Sequence, residues 1–589
     1  MRAPIALLLC LVASIAIPLM IGGFQYYTGI LIYAAVLALL GLSVNLTVGY
    51  LGFISFGHAA FFGLGAYTSA LLTLNLGLNF WATLLFAPIP ATLLGALVGF
   101  ASLRVGGAYF AIATLTVAEI LHLVAGAWMD VTKGPLGLIV PRPRIRFLES
   151  FGLAFHQYYL MIALGILVLV LFALHRILTG PVGRSWKVIR ESAALGESVG
   201  IPTLRYRVYN VALSGAVAGL AGALLIPRTS VVVPEVFSSG LSATGLLIAI
   251  LGGKGTLLGP VIGGTVFAAI PELLRFIDEY RMVVFGVILL VLVRARPNGL
   301  VSLLPLSRWM PRSPHAAASA NAEKLEFEPA PLLRVEGLSK TFGGLTAVDG
   351  VRMEVRTGEV IGLIGPNGAG KTTCLSLISG FETPTQGKVM LGARDLVGMP
   401  PNKLARSGVV RTFQQTAVCS ELTVFENVLA AVPHEETLLS SVLRGPAYAR
   451  RNQVRESKAA AALAMVGLSQ AADRMAGSLP YGDQKMLSVA VALAARPGLL
   501  MLDEPAAGLN HTEARRLSEL LRRLRESGLS VLLIDHNLKL MMAICDRIYV
   551  LERGRPLADG TPTEVRSNPA VIEAYLGSSR KEEVRHAVG

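Results

Sequence analysis

Long apolar runs fill the first half of the chain, whereas polar sequence with short strand-like and helix-like patterns fills the second half. The runs lie near 5–22, 27–48, 53–76, 81–103, 108–127, 155–178 and 207–229. Most are about 20 residues long, which is enough for a helix to cross a bilayer. The stretch 241–294 is equally apolar but has two glycine-rich interruptions. We therefore predict a polytopic α-helical membrane domain over residues 1–306, with about eight to ten spans.

Basic residues predict the orientation of this domain. Arginine and lysine are frequent in the loop 183–207 and after residue 293, so we expect both stretches on the cytoplasmic side. Within that loop, residues 189–202 form a short helix-like stretch that ends at Gly200 and Pro202. This stretch is either an ordinary amphipathic loop or a segment on which a cytoplasmic motor domain could push.

Ionisable residues are few inside the predicted spans, and His58 and Glu119 are two of them. An ionisable group at membrane depth costs several kcal/mol unless it is paired or hydrated, so both residues are functional candidates. The simpler interpretation, which we favour for each, is a polar staple between helices. Nearby glycines such as Gly57 and Gly63 would allow the close backbone approach that a staple needs.

The chain changes character after the membrane domain. Residues 307–330 are rich in proline, serine and alanine and lack apolar periodicity, so we predict a flexible linker. Strand-like and helix-like stretches then alternate over 331–578, which is the pattern of an α/β domain. The last stretch, 579–589, is predicted to be a polar tail.

A glycine-rich loop stands at the start of the α/β pattern, between an apolar β-branched run and a helical run. It reads G-x(4)-G-K-T, the phosphate-binding loop of a nucleotide hydrolase. Its glycines let backbone N–H groups turn toward phosphates, and the helix N-terminus adds positive potential. Lys371 is expected to contact the β- and γ-phosphates, and the Thr372 hydroxyl to ligate Mg²⁺. The predicted ATP-binding loop comprises Gly365, Pro366, Asn367, Gly368, Ala369, Gly370, Lys371, Thr372 and Thr373.

Five further residues complete the predicted nucleotide site. A buried strand ends in Asp503 and Glu504, of which Asp503 is expected to hold Mg²⁺ and Glu504 to polarise the attacking water. Another buried strand ends at His536, which could contact the γ-phosphate. Gln414 offers a neutral amide to the water or the metal, and Phe342 could stack on adenine. The set predicts an ATP hydrolase that uses Mg²⁺.

Composition bears on the class of protein. The mean hydropathy of +0.60 and the charged fraction of 15% are too apolar for an ordinary soluble protein. The net charge of +14 could indicate nucleic-acid binding, but the basic residues form no single face with interleaved aromatics, so no nucleic-acid partner is expected. The four cysteines have neither metal nor disulfide spacing, and Cys374 and Cys545 are expected to be packing residues.

A further motif precedes a helix about 20 residues before Asp503 and resembles the signature motif of ABC transporter ATPases. The order of phosphate loop, glutamine, signature, carboxylate pair and histidine is that family's order. In the family, two ATPase domains enclose two ATP molecules, and each signature helix points at the γ-phosphate held by the other domain, where its N-terminus can bind an anion. The signature residues that this resemblance places in trans are Tyr481, Gly482, Asp483 and Gln484.

The resemblance extends to a more specific family. The stretches 343–348, 505–510 and 571–577 look like the ATPase subunit of the branched-chain amino acid importers. The stretches 48–50, 56–67, 109–115 and 251–260 look like the permease of the same system. The implied fold is multidomain, an N-terminal polytopic α-helical permease followed by a C-terminal α/β P-loop ABC ATPase domain. The loop 189–202, with Glu191, Ala194 and Gly200, would be the coupling helix seated on the ATPase.

The signature departs from the general L-S-G-G-Q pattern. Pro480 replaces the serine, and Asp483 stands where glutamine is usual, which adds negative charge near phosphate. Asn510 likewise replaces an aspartate that is common in its loop. The pattern is similar to that of the branched-chain importer ATPases. We expect two unequal ATP sites, with Lys371 and Glu504 in the site that a partner's signature completes.

The resemblance implies a fused permease and ATPase subunit that drives the import of branched-chain or related hydrophobic amino acids with ATP. It would be a multi-pass protein of the bacterial inner membrane, with its ATPase domain in the cytoplasm. Its expected partners are a second permease subunit, a second ATPase subunit, an extracytoplasmic substrate-binding protein, a small-molecule solute and membrane lipid. Three alternatives stay open: import of urea, short amides or aromatic acids, an ABC exporter, and a membrane-tethered regulatory ATPase.

Overall fold

A computed structural model of the protein describes residues 2–21, 25–102, 107–274, 276, 280–303, 327, 331–414 and 418–575. The chain clusters into two compact units, and each is described by itself. The first unit comprises Met1–Trp186, Leu204–Pro311 and Thr437–Leu443, and the second comprises Lys187–Thr203, Arg312–Glu436 and Arg444–Gly589. Apart from Phe327, the predicted linker 307–330 lies outside the described residues, as does the predicted tail 579–589.

The first unit is helical, as expected of a chain that must satisfy its backbone hydrogen bonds within hydrocarbon. Its longer helices are α1 (Arg2–Ile21), α2 (Gln25–Asn45), α3 (His58–Asn75), α5 (Pro88–Ala101), α6 (Ala108–Ala127), α9 (Phe155–Leu178), α12 (Thr203–Thr229), α13 (Ser239–Gly252), α14 (Gly259–Leu273) and α15 (Arg281–Ala295). Its shorter elements are α4 (Phe80–Phe86), α7 (Met129–Thr132), α8 (Arg146–Ser150), α19 (Leu438–Leu443) and the paired strands β1 (Leu138–Ile139) and β2 (Val231–Val232).

Among the described residues, five helical stretches are long and apolar enough to cross a membrane. They are Gln25–Leu51, Phe80–Ala101, Ala108–Ala127, Phe155–Leu178 and Thr203–Thr229. Four further apolar helices are shorter: Leu9–Met20, Ser239–Gly252, Gly259–Leu273 and Gly286–Ala295. The chain is therefore a membrane protein, and the total of eight to ten spans, about one span per 20 apolar residues, stays a prediction.

The second predicted span changes its helical geometry before it ends. α2 stops at Asn45 and is followed by a π-helical segment, Leu46–Leu51. The next helix begins at His58, so the first five residues of the apolar run near 53–76 are not helical. The Asn45 amide ties this break to the glycine-rich loop at 255–256, with hydrogen bonds of 2.7 and 2.8 Å to its backbone. Breaks of this kind at membrane depth are tolerated where protein surrounds them.

Two sheets organise the second unit. The larger sheet has the strand order β12-β11-β5-β10-β9-β8, and only the β11–β12 pair is antiparallel. The smaller sheet is antiparallel, with the order β4-β3-β6-β7. The strands are β3 (Leu333–Phe342), β4 (Leu345–Val355), β5 (Val360–Ile364), β6 (Gln386–Leu391), β7 (Arg394–Asp395), β8 (Val409–Arg411), β9 (Leu499–Asp503), β10 (Ser530–Ile534), β11 (Arg547–Glu552) and β12 (Arg555–Gly560).

The helices of the second unit are mostly short, but one has 21 residues. They are α11 (Ala193–Ser198), α16 (Lys371–Ile378), α17 (Pro401–Arg406), α18 (Val424–Ala431), α20 (Pro446–Val466), α21 (Tyr481–Ala494), α22 (His511–Glu526), α23 (Leu538–Ile544) and α24 (Pro562–Ser567). One more helix, α10 (Pro181–Glu191), begins in the first unit and ends in the second. Cys374 and Cys545 are buried, as expected of packing residues, and burial raises the pKa of each thiol to about 12.

The central strands bring the predicted site together. β5, β9 and β10 are buried along their whole length, as is typical of a parallel sheet that is covered on both faces. In this sheet Ile534 of β10 stands between Leu363 of β5 and Asp503 of β9. The carboxyl ends of the three strands therefore meet at one edge, from which the phosphate loop, the carboxylate pair and the histidine all follow.

Candidate functional site

The predicted phosphate loop connects β5 to α16, which begins at Lys371. Three of its glycines have the positive φ angles that favour glycine: +155° at Gly365, +79° at Gly368 and +91° at Gly370. A β-carbon at Gly370 would also lie 2.5 Å from the carbonyl oxygen of Ala347. The loop conformation thus depends on glycine at these positions.

The Lys371 side chain folds back over this loop. Its Nζ donates to the carbonyl oxygens of Gly365 at 2.8 Å and Pro366 at 3.0 Å. Burial lowers the pKa of Lys371, while the nearby carboxylates of Glu504 and Asp503 oppose that shift. The ammonium group therefore has two neutral acceptors that phosphate oxygens could replace with stronger, charge-assisted hydrogen bonds.

Glu504 follows β9 in a strained turn. Its φ of +49° is unusual for a residue with a β-carbon. The Glu504 N–H donates to the carbonyl oxygen of Ile534 at 2.7 Å, so the neighbouring strand β10 holds the turn. Strain of this type persists only where the surrounding structure enforces it, and it is frequent at functional sites.

Two other predicted catalytic residues, His536 and Gln414, contact the Glu504 carboxylate. Its Oε1 lies 2.7 Å from Nε2 of His536, and its Oε2 accepts a hydrogen bond from Nε2 of Gln414 at 2.7 Å. The Glu504 side chain is 12% exposed and that of His536 is 48% exposed, so the cluster opens to solvent on the histidine side. Each carboxylate oxygen has one partner and a second lone pair, so Glu504 can still accept a hydrogen bond from a water molecule.

Asp503 is paired with a residue that sequence analysis did not identify, Arg411 of β8. The Arg411 guanidinium donates to Oδ2 of Asp503 at 2.8 Å, and the two side chains are only 5% and 2% exposed. In the described part of the chain, Oδ1 of Asp503 has no hydrogen-bond partner. A buried, unpartnered carboxylate oxygen fits the hard oxygen ligands that Mg²⁺ prefers. Thr372 lies on the first turn of α16, whereas the Gln414 amide is directed to Glu504.

Two more charged residues, to which the sequence analysis gave no role, form hydrogen bonds with backbone groups of the site. Lys485 of α21 donates to the carbonyl oxygens of Gln414 at 2.6 Å and Glu504 at 3.4 Å. Asp535, which follows β10, accepts the N–H of Ala506 at 2.9 Å. Each residue directly adjoins a predicted motif, which was the only signal in the sequence. The direction of a buried side chain depends on tertiary packing and cannot be inferred from spacing.

We expect Arg411→Lys to lower the free energy of unfolding by about 1 kcal/mol. Arg411 also donates to the hydroxyls of Ser376 at 2.9 Å and Ser379 at 3.3 Å, and a lysine keeps the charge but loses this forked geometry. Arg411→Met should cost more because Asp503 would be buried without its partner. Denaturant unfolding followed by fluorescence measures both variants. If the methionine variant were as stable as the parent, the ion pair between Arg411 and the buried Asp503 would not stabilise the protein.

The predicted signature forms the first turn of α21, which begins at Tyr481. The Tyr481 ring is 48% exposed. Gly482 packs against Glu513 so closely that a β-carbon would lie 2.2 Å from its carboxylate. Gln484 donates to the carbonyl oxygen of Leu479 at 2.9 Å. The Tyr481 ring is therefore accessible at the helix start, whereas Gly482 is buried and leaves no room for a larger side chain.

The negative charge of Asp483 is balanced within the same unit. Its Oδ1 accepts a hydrogen bond from Nη1 of Arg516 at 3.0 Å, and both side chains are partly exposed. The same guanidinium donates to the carbonyl oxygen of Val466 at 2.8 Å and so caps α20. Sequence analysis identified the added charge of Asp483 but not the arginine that compensates it.

Phe342, the residue predicted to stack on adenine, ends β3. Its ring is 43% exposed. The ammonium group of Lys340 lies 4.8 Å from the ring centroid, a distance typical of a cation–π contact. An exposed aromatic ring at this position is compatible with the predicted stacking.

The loop predicted to couple the two domains, 189–202, belongs to the second unit. It consists of the end of α10, a break at Ser192 and the helix α11. Arg190 forms an ion pair with Glu421. The carbonyl oxygen of Gly200, a residue with φ of +88°, accepts a hydrogen bond from Nε of Arg406 at 3.0 Å.

Helix α11 also approaches the segment that carries Gln414. Leu195 and Val199 line a small cavity together with residues 411–413 of the same unit. Of the three predicted coupling residues, Gly200 makes the contact described above, Glu191 is exposed and Ala194 is half-buried. The loop thus lies against the residues that immediately precede the glutamine of the nucleotide site.

Reversing one charge of the Arg190–Glu421 pair should weaken this contact, and reversing both should restore it. The two side chains are 17% and 58% exposed, so the pair is partly hydrated. We expect each single reversal, Arg190→Glu or Glu421→Arg, to lower ATP turnover in the presence of the substrate-binding protein by about two- to fivefold. Turnover in lipid measures the effect. A double variant no better than the worse single variant would show that the pairing itself is unimportant.

His58 has the surroundings of a polar staple. It is fully buried, and its Nε2 lies 2.9 Å from Oγ of Ser214 and 3.4 Å from Oγ1 of Thr47. The Ser214 hydroxyl donates to the carbonyl oxygen of Ser43 at 2.8 Å. His58 therefore links α3 to α12 and to the π-helical segment that follows α2.

Glu119 differs from His58. Its side chain is 49% exposed, and its one ion pair among the described residues is with His122, one turn later on the same helix, at 3.7 Å. The expectation that Glu119 staples two helices of this chain is therefore wrong. Its carboxylate lies on a face of α6 that the described residues of the chain leave uncovered.

Comparison with known families accounts for both parts of the chain. Residues 26–293 match the family model of the permease component of the branched-chain amino acid transport system. Residues 348–507 match the ABC transporter family model. Residues 555–580 match the model of the branched-chain amino acid ATP-binding cassette transporter.

Individual relatives match the second part of the chain. It is 49% identical over 253 residues to the high-affinity branched-chain amino acid transport ATP-binding protein LivG of Salmonella typhimurium, which covers 42% of this chain and 99% of the relative. It is 47% identical over 252 residues to BraF of Pseudomonas aeruginosa, a protein of the same description, with 42% and 99% coverage. A solved nucleotide-free ATP-binding cassette from an ABC transporter is 33% identical over 41% of this chain and 98% of that chain, with a TM-score of 0.37.

Proposed function

Because the chain belongs to the branched-chain amino acid family of ABC transporters, we propose that it imports branched-chain or related hydrophobic amino acids with the free energy of ATP hydrolysis. The observation that carries this proposal is the joining of the two functions in one chain. A match to the permease component over 26–293 is followed by a match to the ATP-binding cassette. We propose a permease domain over 1–306 and an ATPase domain over 331–578.

We further propose that the protein is a multi-pass protein of the bacterial inner membrane, with its ATPase domain in the cytoplasm. The arginine-rich stretches around 183–207 and after 293 support this orientation. A second permease subunit, a second ATPase subunit and an extracytoplasmic substrate-binding protein would complete the transporter. The exposed ring of Tyr481 and the partly exposed Asp483 and Gln484, at the start of α21, support a role for Tyr481, Gly482, Asp483 and Gln484 at the nucleotide of the second ATPase subunit.

Within the nucleotide site, we assign each residue a role from its contacts. Lys371 and the phosphate-loop N–H groups bind the phosphates of ATP. Glu504 binds and polarises the attacking water, while His536 orients the Glu504 carboxylate and contacts the γ-phosphate. Asp503 Oδ1 and the Thr372 hydroxyl would hold Mg²⁺, which neutralises phosphate charge when it is bound.

Gln414 connects this chemistry to the coupling loop 189–202 of the same unit. Its amide donates to Glu504, and its carbonyl accepts from Lys485. Residues 411–413, directly before it, line the cavity shared with α11. A shift of Gln414 on nucleotide binding would therefore move the surface on which the coupling loop rests.

ATP turnover in lipid, with the partner subunits present, tests the proposed function. A binding protein loaded with leucine, isoleucine or valine should stimulate turnover, and the unloaded binding protein should not. Stimulation by a protein loaded with urea or benzoate would reassign the solute. Turnover that is indifferent to every binding protein would contradict an importer.

A further inference from the structure

Helix α6 carries a carboxylate on a face that is uncovered in the part of the chain that the structure describes. The buried residues of the helix form one stripe, Phe110, Thr114, Ala118 and Ala125. Exposed residues form the opposite stripe at the same helical spacing, Ile112, Thr116, Glu119 and Leu123. We call these four residues the Glu119 stripe. The carboxylate therefore points away from the rest of the first unit.

Glu119 also lies near the middle of the span. At 1.5 Å per residue, it is about 16 Å along the helix axis from Ala108 and about 12 Å from Ala127. A carboxylate at this depth that faces lipid is strongly destabilising. The separation of 3.7 Å from His122 is too long for a hydrogen bond and compensates little of that destabilisation. Glu119 is therefore unsuited to contact with lipid, although Ile112 and Leu123 of the same stripe are apolar.

We infer that the Glu119 stripe lines an aqueous solute path between this chain and a second permease subunit, and that the Glu119 carboxylate binds the ammonium group of the solute there. The inference rests on the proposed function, and it adds a binding residue and a chemical class of ligand. In a hydrated path, water solvates the carboxylate, so the charge at this depth is no longer destabilising. The same carboxylate can then accept a charge-assisted hydrogen bond from an ammonium group.

The neighbouring residues suit an aliphatic amino acid. Ile112 and Leu123 lie on the stripe to either side of Glu119 and Thr116, with 60% and 65% of their surface exposed. An ammonium group at the carboxylate would leave a branched side chain beside these apolar residues. A solute without an ammonium group, such as urea, would not neutralise Glu119, and a carboxylic acid would be repelled by it.

Cysteine labelling of the assembled transporter tests the path. Thr116→Cys would be placed in a Cys10→Ser background, since Cys10 is exposed and the other three cysteines are buried. Leu97→Cys on α5, at a position that is 66% exposed, is the matched control for a lipid-facing site. We expect Thr116→Cys to react with a cationic methanethiosulfonate about tenfold faster than with an anionic one. Leu97→Cys should stay unreactive.

The role of the carboxylate is tested in the same system. Glu119→Gln should abolish the preference for the cationic reagent and lower leucine uptake by about tenfold, whereas Glu119→Asp should retain part of the uptake. A Thr116→Cys variant as unreactive as Leu97→Cys, or a Glu119→Gln variant with full uptake, would overturn the inference. Labelling does not depend on import. The expected labelling in a chain that takes up no leucine would therefore support the path and count against the proposed function alone.

Discussion

Glu504→Gln is expected to lower ATP turnover by about a thousandfold, because an amide cannot accept a proton from the attacking water. The substitution keeps the size of the side chain, so the strained turn at residue 504 and its hydrogen bond to Ile534 should persist. ATP affinity should change little, since the phosphates are bound by the loop 365–373. Phosphate release measures turnover, and titration with a fluorescent ATP analogue measures affinity.

A matched control separates this effect from general damage. Glu426 belongs to the second unit and caps the N-terminus of α18, where its carboxylate accepts the N–H of Thr423 at 3.0 Å. Glu426→Gln makes the same chemical change away from the nucleotide site and should leave turnover within about twofold of the parent, as expected for loss of part of a helix cap. If Glu504→Gln kept more than a tenth of the parent turnover, Glu504 would not be the residue that activates water.

Lys371→Ala is expected to weaken ATP binding by about a hundredfold or more, because two charge-assisted hydrogen bonds to phosphate would be lost. The ammonium group of Lys371 already lies within the loop, where it donates hydrogen bonds to the carbonyl oxygens of Gly365 and Pro366. Equilibrium titration with a fluorescent ATP analogue measures the loss. Lys388→Ala, at an exposed position of β6, is the control and should bind ATP normally. Unchanged affinity of Lys371→Ala would contradict the assigned phosphate contact.

Local patterns were sufficient to predict the frame of the nucleotide site. An apolar β-branched run, a glycine-rich loop and a helical run predicted the unit β5, phosphate loop and α16, and the structure contains each element. The strands before Asp503 and His536 were predicted on the same basis, and both are buried parallel strands. These features can be recognised from a short stretch of sequence, because a buried central strand must be apolar along its whole length.

The contacts between distant parts of the chain could not be predicted in this way. The Arg411–Asp503 ion pair joins residues 92 positions apart, and the Asp483–Arg516 pair joins residues 33 positions apart. Neither arginine belongs to a motif, and its partner is decided by packing of the surrounding strands and helices. The positive φ of Glu504 likewise depends on Ile534 of another strand.

The membrane domain shows the same limit in another form. Hydropathy located the spans but not the π-helical segment at Leu46–Leu51, since the apolar composition continues through it. Hydropathy also could not tell that His58 is enclosed by polar partners while Glu119 is exposed on α6. Both are ionisable residues in apolar runs, and only the packing of the helices distinguishes them.

Uptake of radiolabelled leucine into proteoliposomes tests the central proposal most directly. The chain would be reconstituted with its partner subunits, with ATP inside the vesicles and the binding protein outside. We predict accumulation of leucine that requires both ATP and the binding protein and that is abolished by Glu504→Gln. ATP hydrolysis without any leucine, isoleucine or valine accumulation, in vesicles whose Glu504→Gln control is inactive, would contradict the proposal that this chain imports branched-chain amino acids.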